Sequence, residues 1–205
     1  MSLTIYYLYT VLITGISDES IAGELAIQLA SASPKLLILS ARAESKVKPV
    51  IDQIKERNAN VQTLFLNMDL SDLSSVRKAA QDGLADVPKI DHVVCVAGVM
   101  ICPYGKTADG FETQLGVNYL SNFLLIKLIL PKVEAAGPSS SIIVVSSSSV
   151  RTGKIHFDDI GFSVCELHPL SYSFSDLKPY RRAKHMMLTL HMASQMLQEP
   201  CLPRS

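Results

Sequence analysis

The segment YTVLITGISDESIAGELAIQLASASPKLLILSAR, residues 9–42, reads as strand, tight turn, helix and strand. Tyr9 to Thr14 is a short aromatic and β-branched run stopped by Gly15. Ser20 to Ala30 follows as a helix, and Lys35 to Ser40 is a second short apolar run. Neither strand alternates apolar with polar residues, so both faces should be covered, as in a parallel sheet. The pattern repeats outward from this unit. Glu44 to Arg57 has Val47, Val50, Ile51 and Ile54 at helical spacing, and Gln62 to Asn67 is a third strand. Ser71 can cap a helix running to about Leu84, and Asp91 to Val96 is a fourth strand. A long amphipathic helix from about Phe111 to Ala135, a fifth strand from Ser141 to Ser146 and a last helix from about Pro179 to Leu197 complete the series. Alternating strands and helices with right-handed crossovers give an α/β fold, a doubly wound parallel sheet of Rossmann type. Ligands bind such sheets outside the carboxyl ends of the strands.

Composition narrows the function. The 205 residues suit one domain, residues 1–205, with 48% apolar and 19% charged residues. The 19 basic and 19 acidic side chains cancel and form no block of one sign, so nothing favours nucleic acid as a partner. Cys95, Cys102, Cys165 and Cys201 are scattered without CxxC spacing, which predicts no metal centre and a reduced, cytoplasmic setting. The apolar run at the N-terminus is too short to span a bilayer and lacks a basic leader region, so no transmembrane segment is expected.

The strand ends carry the chemistry. After the first strand comes Thr14-Gly15-Ile16-Ser17-Asp18-Glu19-Ser20-Ile21-Ala22-Gly23, a tight turn into a helix whose first N–H groups can face a pyrophosphate. The second strand leads into Ser40-Ala41-Arg42, and a basic residue there can pair with the 2′-phosphate of NADP. Small residues, Ala97 and Gly98, follow the fourth strand. Further on, Tyr180-Arg181-Arg182-Ala183-Lys184 sets a tyrosine and a lysine four apart, on one face of a helix. A cation so placed lowers the pKa of a phenol, and ketone reduction by hydride needs a proton donor at the carbonyl oxygen.

Taken in order, these elements resemble the short-chain dehydrogenase/reductase family over about residues 10–197. Leu70-Ser71-Asp72-Leu73-Ser74-Ser75-Val76-Arg77, Ala97-Gly98-Val99-Met100, Asp109-Gly110-Phe111-Glu112, Gly116-Val117-Asn118 and Lys154-Ile155-His156-Phe157-Asp158 look like its retinol-dehydrogenase-like and WW-domain-oxidoreductase-like members, in a fungal form. The resemblance implies an NADP-dependent oxidoreductase that interconverts a ketone or aldehyde and an alcohol on an apolar, small-molecule substrate, in some members within secondary metabolism. It implies Asn118, Ser147, Tyr180 and Lys184 as catalytic residues, with Ser148 the nearest rival to Ser147. For the cofactor it implies Thr14, Gly15, Ile16, Ser17, Ile21, Arg42, Asp69, Ala97, Gly98 and Lys127, together with Tyr180 and Lys184. Asn118 would position a water of the proton relay.

The chain departs from that pattern in places. Glu19 and Ala22 stand where the family has glycines, and a carboxylate at position 19 would repel phosphates unless it turns outward. Val96 replaces an amide that ties neighbouring strands, a loss expected to cost about 1 kcal/mol or more. The family continues beyond the Tyr/Lys helix, so the sequence reads as C-terminally truncated. Such a chain would lack a wall of the substrate pocket and expose a sheet edge open to a second copy, as in a homo-oligomer. The alternative function is then a catalytically inactive cofactor-binding or regulatory paralogue.

Overall fold

The structure, a computed structural model, describes residues 9–100, 102–146 and 157–161. Ser147, Ser148, Tyr180, Lys184 and the last expected helix lie outside the described residues. Five parallel strands form one sheet in the order β3-β2-β1-β4-β5. They are β1 (Thr10–Thr14), β2 (Leu36–Ala41), β3 (Gln62–Asn67), β4 (His92–Cys95) and β5 (Ser141–Val144). The helices are α1 (Ile21–Ala30), α2 (Glu44–Arg57), α3 (Leu73–Lys78), α4 (Thr113–Leu115) and α5 (Ser121–Glu134). The chain order steps outward from β1 to β3, then crosses back to β4 beside β1. The crevice of the sheet therefore opens between β1 and β4, where the order reverses.

The central strands β1, β2 and β4 are apolar on both faces because each face has its own core. Leu12, Ile38, Leu66, Val93 and Cys95 pack with Val76 of α3 and Leu125, Ile126 and Ile129 of α5. Val11, Ile13, Leu37, Leu39 and Val94 pack with Ala22, Ala26 and Ile27 of α1 and Val47, Val50 and Ile54 of α2. Cys95 belongs to the first core, and burial pushes its thiol up to about 12, so it is a neutral core side chain and not a nucleophile. Among the described residues no helix is long and apolar enough to cross a membrane.

The amino ends of the strands are locked by a buried carboxylate. Asp91 accepts a hydrogen bond from the Thr10 amide at 2.8 Å and pairs with Lys89 at 2.9 Å. Its main chain joins Thr10 on one side and Ser141 on the other. The carboxyl ends carry the longer connections instead and are free to build a site.

Two local readings are corrected. Asp72, not Ser71, caps α3: its carboxylate accepts from the amides of Ser74 and Ser75. Hydrogen bonds from Ser74 hold this carboxyl below the usual carboxylate range. Ser71 instead donates both its amide and its hydroxyl to Asp69. The long helix is also not one regular unit from Phe111. The buried Glu112 carboxylate caps Gln114 and Leu115, and a π-helical turn at Gly116–Leu120 separates α4 from α5. A second π-helical turn, Ala79–Gly83, extends α3.

Candidate cofactor site at the strand ends

In-register pairing brings the strand ends to one level. Thr14 lies beside Ser40 on one side and Cys95 on the other, and Ala41 lies beside Asn67. The residues that follow these positions are the ones named from sequence. They come from connections separated by as many as 83 residues and come to one end because the sheet is parallel.

The turn after β1 is held by its backbone. The amides of Gly15 and Ile16 both donate to the carbonyl of Ser40, each at 3.0 Å. Gly15 has φ +83°, and a Cβ built there would sit 2.7 Å from Ala97 Cα. The glycine thus serves two ends: a left-handed turn and direct contact with the loop after β4. Ile16 is buried in the core, while Ile21 stands exposed at the head of α1. Ser20, a residue the sequence reading counted only as helix, caps α1. Its hydroxyl accepts from the Gly23 amide at 3.0 Å and donates to the Ser17 carbonyl at 2.7 Å. The remaining first-turn amides point along the helix axis toward the strand ends, the arrangement that attracts an anion.

The substituted glycines behave differently. Ala22 is buried and packs into the core beneath α1. Glu19 keeps the glycine's conformation, with φ 55°, and is exposed. A side chain in that region costs about 1 kcal/mol or more. Glu19→Gly is therefore expected to stabilise the protein by about 0.5–1 kcal/mol, part of the relief being offset by a more flexible unfolded chain. That corresponds to a rise of a few degrees in Tm in a thermal melt. A lower Tm would show that the side chain is itself making a stabilising contact.

The strand ends beside Val96 are tied after all. Thr14, fully buried, accepts hydrogen bonds at its Oγ1 from the amides of Val96 and Ala97, both at 3.2 Å. The Val96 side chain packs against the core beside α1 and α2, so the tie at this point rests on the hydroxyl of Thr14.

Arg42 follows β2 and is exposed, and among the described residues no carboxylate pairs with it. Its carbonyl accepts from Asn67 Nδ2 at 3.2 Å, so β3 positions its backbone. Asp69 follows β3; its Oδ1 takes both hydrogen bonds from Ser71, and its amide donates to Ser75 Oγ. Asn118, fully buried in the π-helical turn, clasps the loop after β4 with both ends of its amide. Val99 N–H donates to Oδ1 at 2.7 Å, and Nδ2 donates to the Val99 carbonyl at 2.9 Å. Asn118 also lies against Gly98, where an added Cβ would come within 3.1 Å of Oδ1. Lys127 is not brought to this group. It is exposed on α5, about 13 Å of helix axis beyond Asn118 and toward the amino ends of the strands.

These residues fit a dinucleotide. Gly15 turns the chain out of β1 in contact with Ala97, the head of α1 follows that turn, and Arg42 offers an exposed cation after β2. Among the described residues no cluster of His, Cys, Asp or Glu could hold a metal ion.

The comparisons agree with this geometry. Residues 9–158 match the family model described as short chain dehydrogenase. Retinol dehydrogenase 12 of Homo sapiens is 39% identical over 163 residues, which cover 76% of this chain and 51% of that protein. Retinol dehydrogenase 14 of Mus musculus is 33% identical over 178 residues, 82% of this chain and 52% of its own length. The chain thus spans about half the length of the curated relatives it matches. A crystal structure of an uncharacterized protein from Mycobacterium paratuberculosis superimposes with a TM-score of 0.69 at 30% identity, covering 93% of this chain and 61% of that one. An oxidoreductase from E. coli shares the fold, with a TM-score of 0.66 at 22% identity over 94% of this chain and 70% of its own.

Proposed function

Because this chain belongs to the short-chain dehydrogenase family, whose members bind a nicotinamide dinucleotide, we propose that it binds NADP(H) across the carboxyl ends of its strands and interconverts a ketone or aldehyde with an alcohol on an apolar substrate. The observation that carries this reading is that the segments bearing Gly15, Arg42, Asp69 and Ala97 all leave the carboxyl ends of neighbouring, in-register strands. An exposed guanidinium after β2, where NAD-specific sites of this architecture hold an acidic residue, supports the 2′-phosphorylated cofactor. An apolar substrate is supported by exposed large side chains on the segments that follow the strands: Met100 after β4, and Phe157 and Ile160 after β5. The names of the retinol dehydrogenase relatives point the same way.

The bound nicotinamide would supply or accept a hydride. The chain's own residues do the rest. Gly15 and Ala97 let the backbone lie close to the cofactor, and the head of α1 faces the pyrophosphate. Asp69 meets the adenosine. Tyr180 gives its phenolic proton to the carbonyl oxygen as the hydride arrives, and takes one back in the reverse direction. Lys184, four residues on in sequence, favours the tyrosinate and reaches the ribose hydroxyls. Ser147 donates a hydrogen bond to the same oxygen. Asn118 holds the Ala97–Val99 loop in place through its amide, so a relay water falls to its main-chain carbonyl. That carbonyl also accepts from Asn122 Nδ2 at 3.0 Å.

Arg42→Ala tests the cofactor assignment. Loss of a charge-assisted contact to phosphate is expected to weaken NADPH about 10- to 100-fold, with NADH affected less than about threefold. Equal losses for the two dinucleotides would remove the claim for NADP.

A further inference from the structure

The turn Asp69–Ser71 has each of its three successive carbonyls bonded, two of them by segments distant in sequence. Asp69 O accepts from the Asp72 amide of the same turn at 3.2 Å, and Ser71 O accepts from the Ala108 amide at 2.9 Å. Leu70 O, on a buried residue, accepts from the hydroxyl of Ser121 at 2.6 Å across 51 residues of sequence. Ser121 is fully buried and opens α5, three residues after Asn118. Its neighbour Asn122, also fully buried, donates from Nδ2 to the carbonyls of Val117 and Asn118. Asn118 in turn clasps Val99. One helical turn therefore grips both flanks of the crevice: the turn after β3 through Ser121, and the loop after β4 through Asn122 and Asn118.

We propose that Ser121 is a positioning residue for the cofactor, fixing through Leu70 the turn on which Asp69 meets the adenosine. This rests on the dinucleotide reading above. A mobile Leu70 carbonyl would let the Asp69 carboxylate drift, because among the described residues that carboxylate is bonded by Ser71 of the same turn, while Ser75 holds the Asp69 amide alone. A buried carbonyl that loses its donor also seeks another, which moves the turn further.

The test is the affinity for adenosine 2′,5′-bisphosphate, which occupies only the adenosine side, measured by calorimetry on the full chain. Ser121→Ala is expected to weaken it about tenfold. Ser121→Thr, which keeps the hydroxyl, regains most of that loss. Ile129→Val, which trims the buried far end of α5, leaves the affinity within about twofold although it costs comparable stability. If the alanine variant does not fold, Ser121→Cys, of similar size and a weak donor, carries the same expectation. Wild-type affinity in Ser121→Ala, no recovery with threonine, or an equal loss in Ile129→Val would each overturn the proposal. Failure of the wild-type chain to bind the bisphosphate at all would overturn the dinucleotide reading itself.

Discussion

Gly15→Val is expected to abolish dinucleotide binding and to lower the unfolding free energy by about 3–5 kcal/mol. Two independent costs add. A β-branched residue at φ +83° is strained by about 1–3 kcal/mol. Its Cβ would also lie 2.7 Å from Ala97 Cα, a backbone atom that Thr14 holds through the Val96 and Ala97 amides. Relief requires the β1 and β4 ends to separate, and overpacking of this kind costs about 1–3 kcal/mol more. Gly110→Val separates the two. Gly110 has nearly the same φ, +82°, but nothing within 4 Å of an added Cβ, so it bears only the strain. Urea denaturation reads both variants. A loss at Gly15 no greater than that at Gly110 would show that contact with Ala97 does not matter.

Tyr180→Phe is expected to lower carbonyl reduction by about 10²- to 10⁴-fold while leaving the affinity for NADPH within about threefold. Phenylalanine keeps the ring and its packing but removes the only proton that the proposed donor carries. Lys184 remains to hold the ribose, which is why binding and turnover should part. Steady-state rates with an apolar aldehyde, beside NADPH fluorescence titration, measure the two. An unchanged rate would take Tyr180 out of the chemistry. A wild-type chain that binds NADPH but turns over none of a panel of apolar carbonyls would favour the inactive, regulatory reading.

The sheet was legible because each of its strands holds a run of three or four consecutive apolar residues. Gln62–Asn67 and Glu44–Arg57 occur in the structure with the boundaries that composition and helical spacing suggest. The register was legible only by consequence: once the strands are parallel, the residues after them must meet. What stayed hidden depends on partners distant in sequence or on a slip in the helical period. Apolar spacing does not reveal the π-helical turn that buries Asn118, because one extra residue in a turn leaves the pattern of Val117, Leu125 and Ile129 readable as a plain helix. Asp109 donates no local signal that it caps the first amide of α3, 36 residues earlier. The hydroxyls of Thr14 and Ser121 look like ordinary β-branched and helix-start residues until the carbonyls and amides they serve are brought beside them.

Glu19 shows the reverse. Its identity suggested an eroded loop, yet its backbone retains the conformation of the glycine it replaces and its side chain is exposed. Lys127 was named from the family resemblance, and it stands exposed on α5, nine residues of helix beyond Asn118.

The central claim, that the strand ends form a site for a 2′-phosphorylated nicotinamide dinucleotide, is tested most directly by titrating the wild-type chain with NADPH and with NADH and following nicotinamide fluorescence. The account predicts saturable binding of NADPH, at least about tenfold tighter than NADH, as one charge-assisted contact to the 2′-phosphate requires. Absence of saturable binding by either dinucleotide, or tighter binding of NADH, would contradict it.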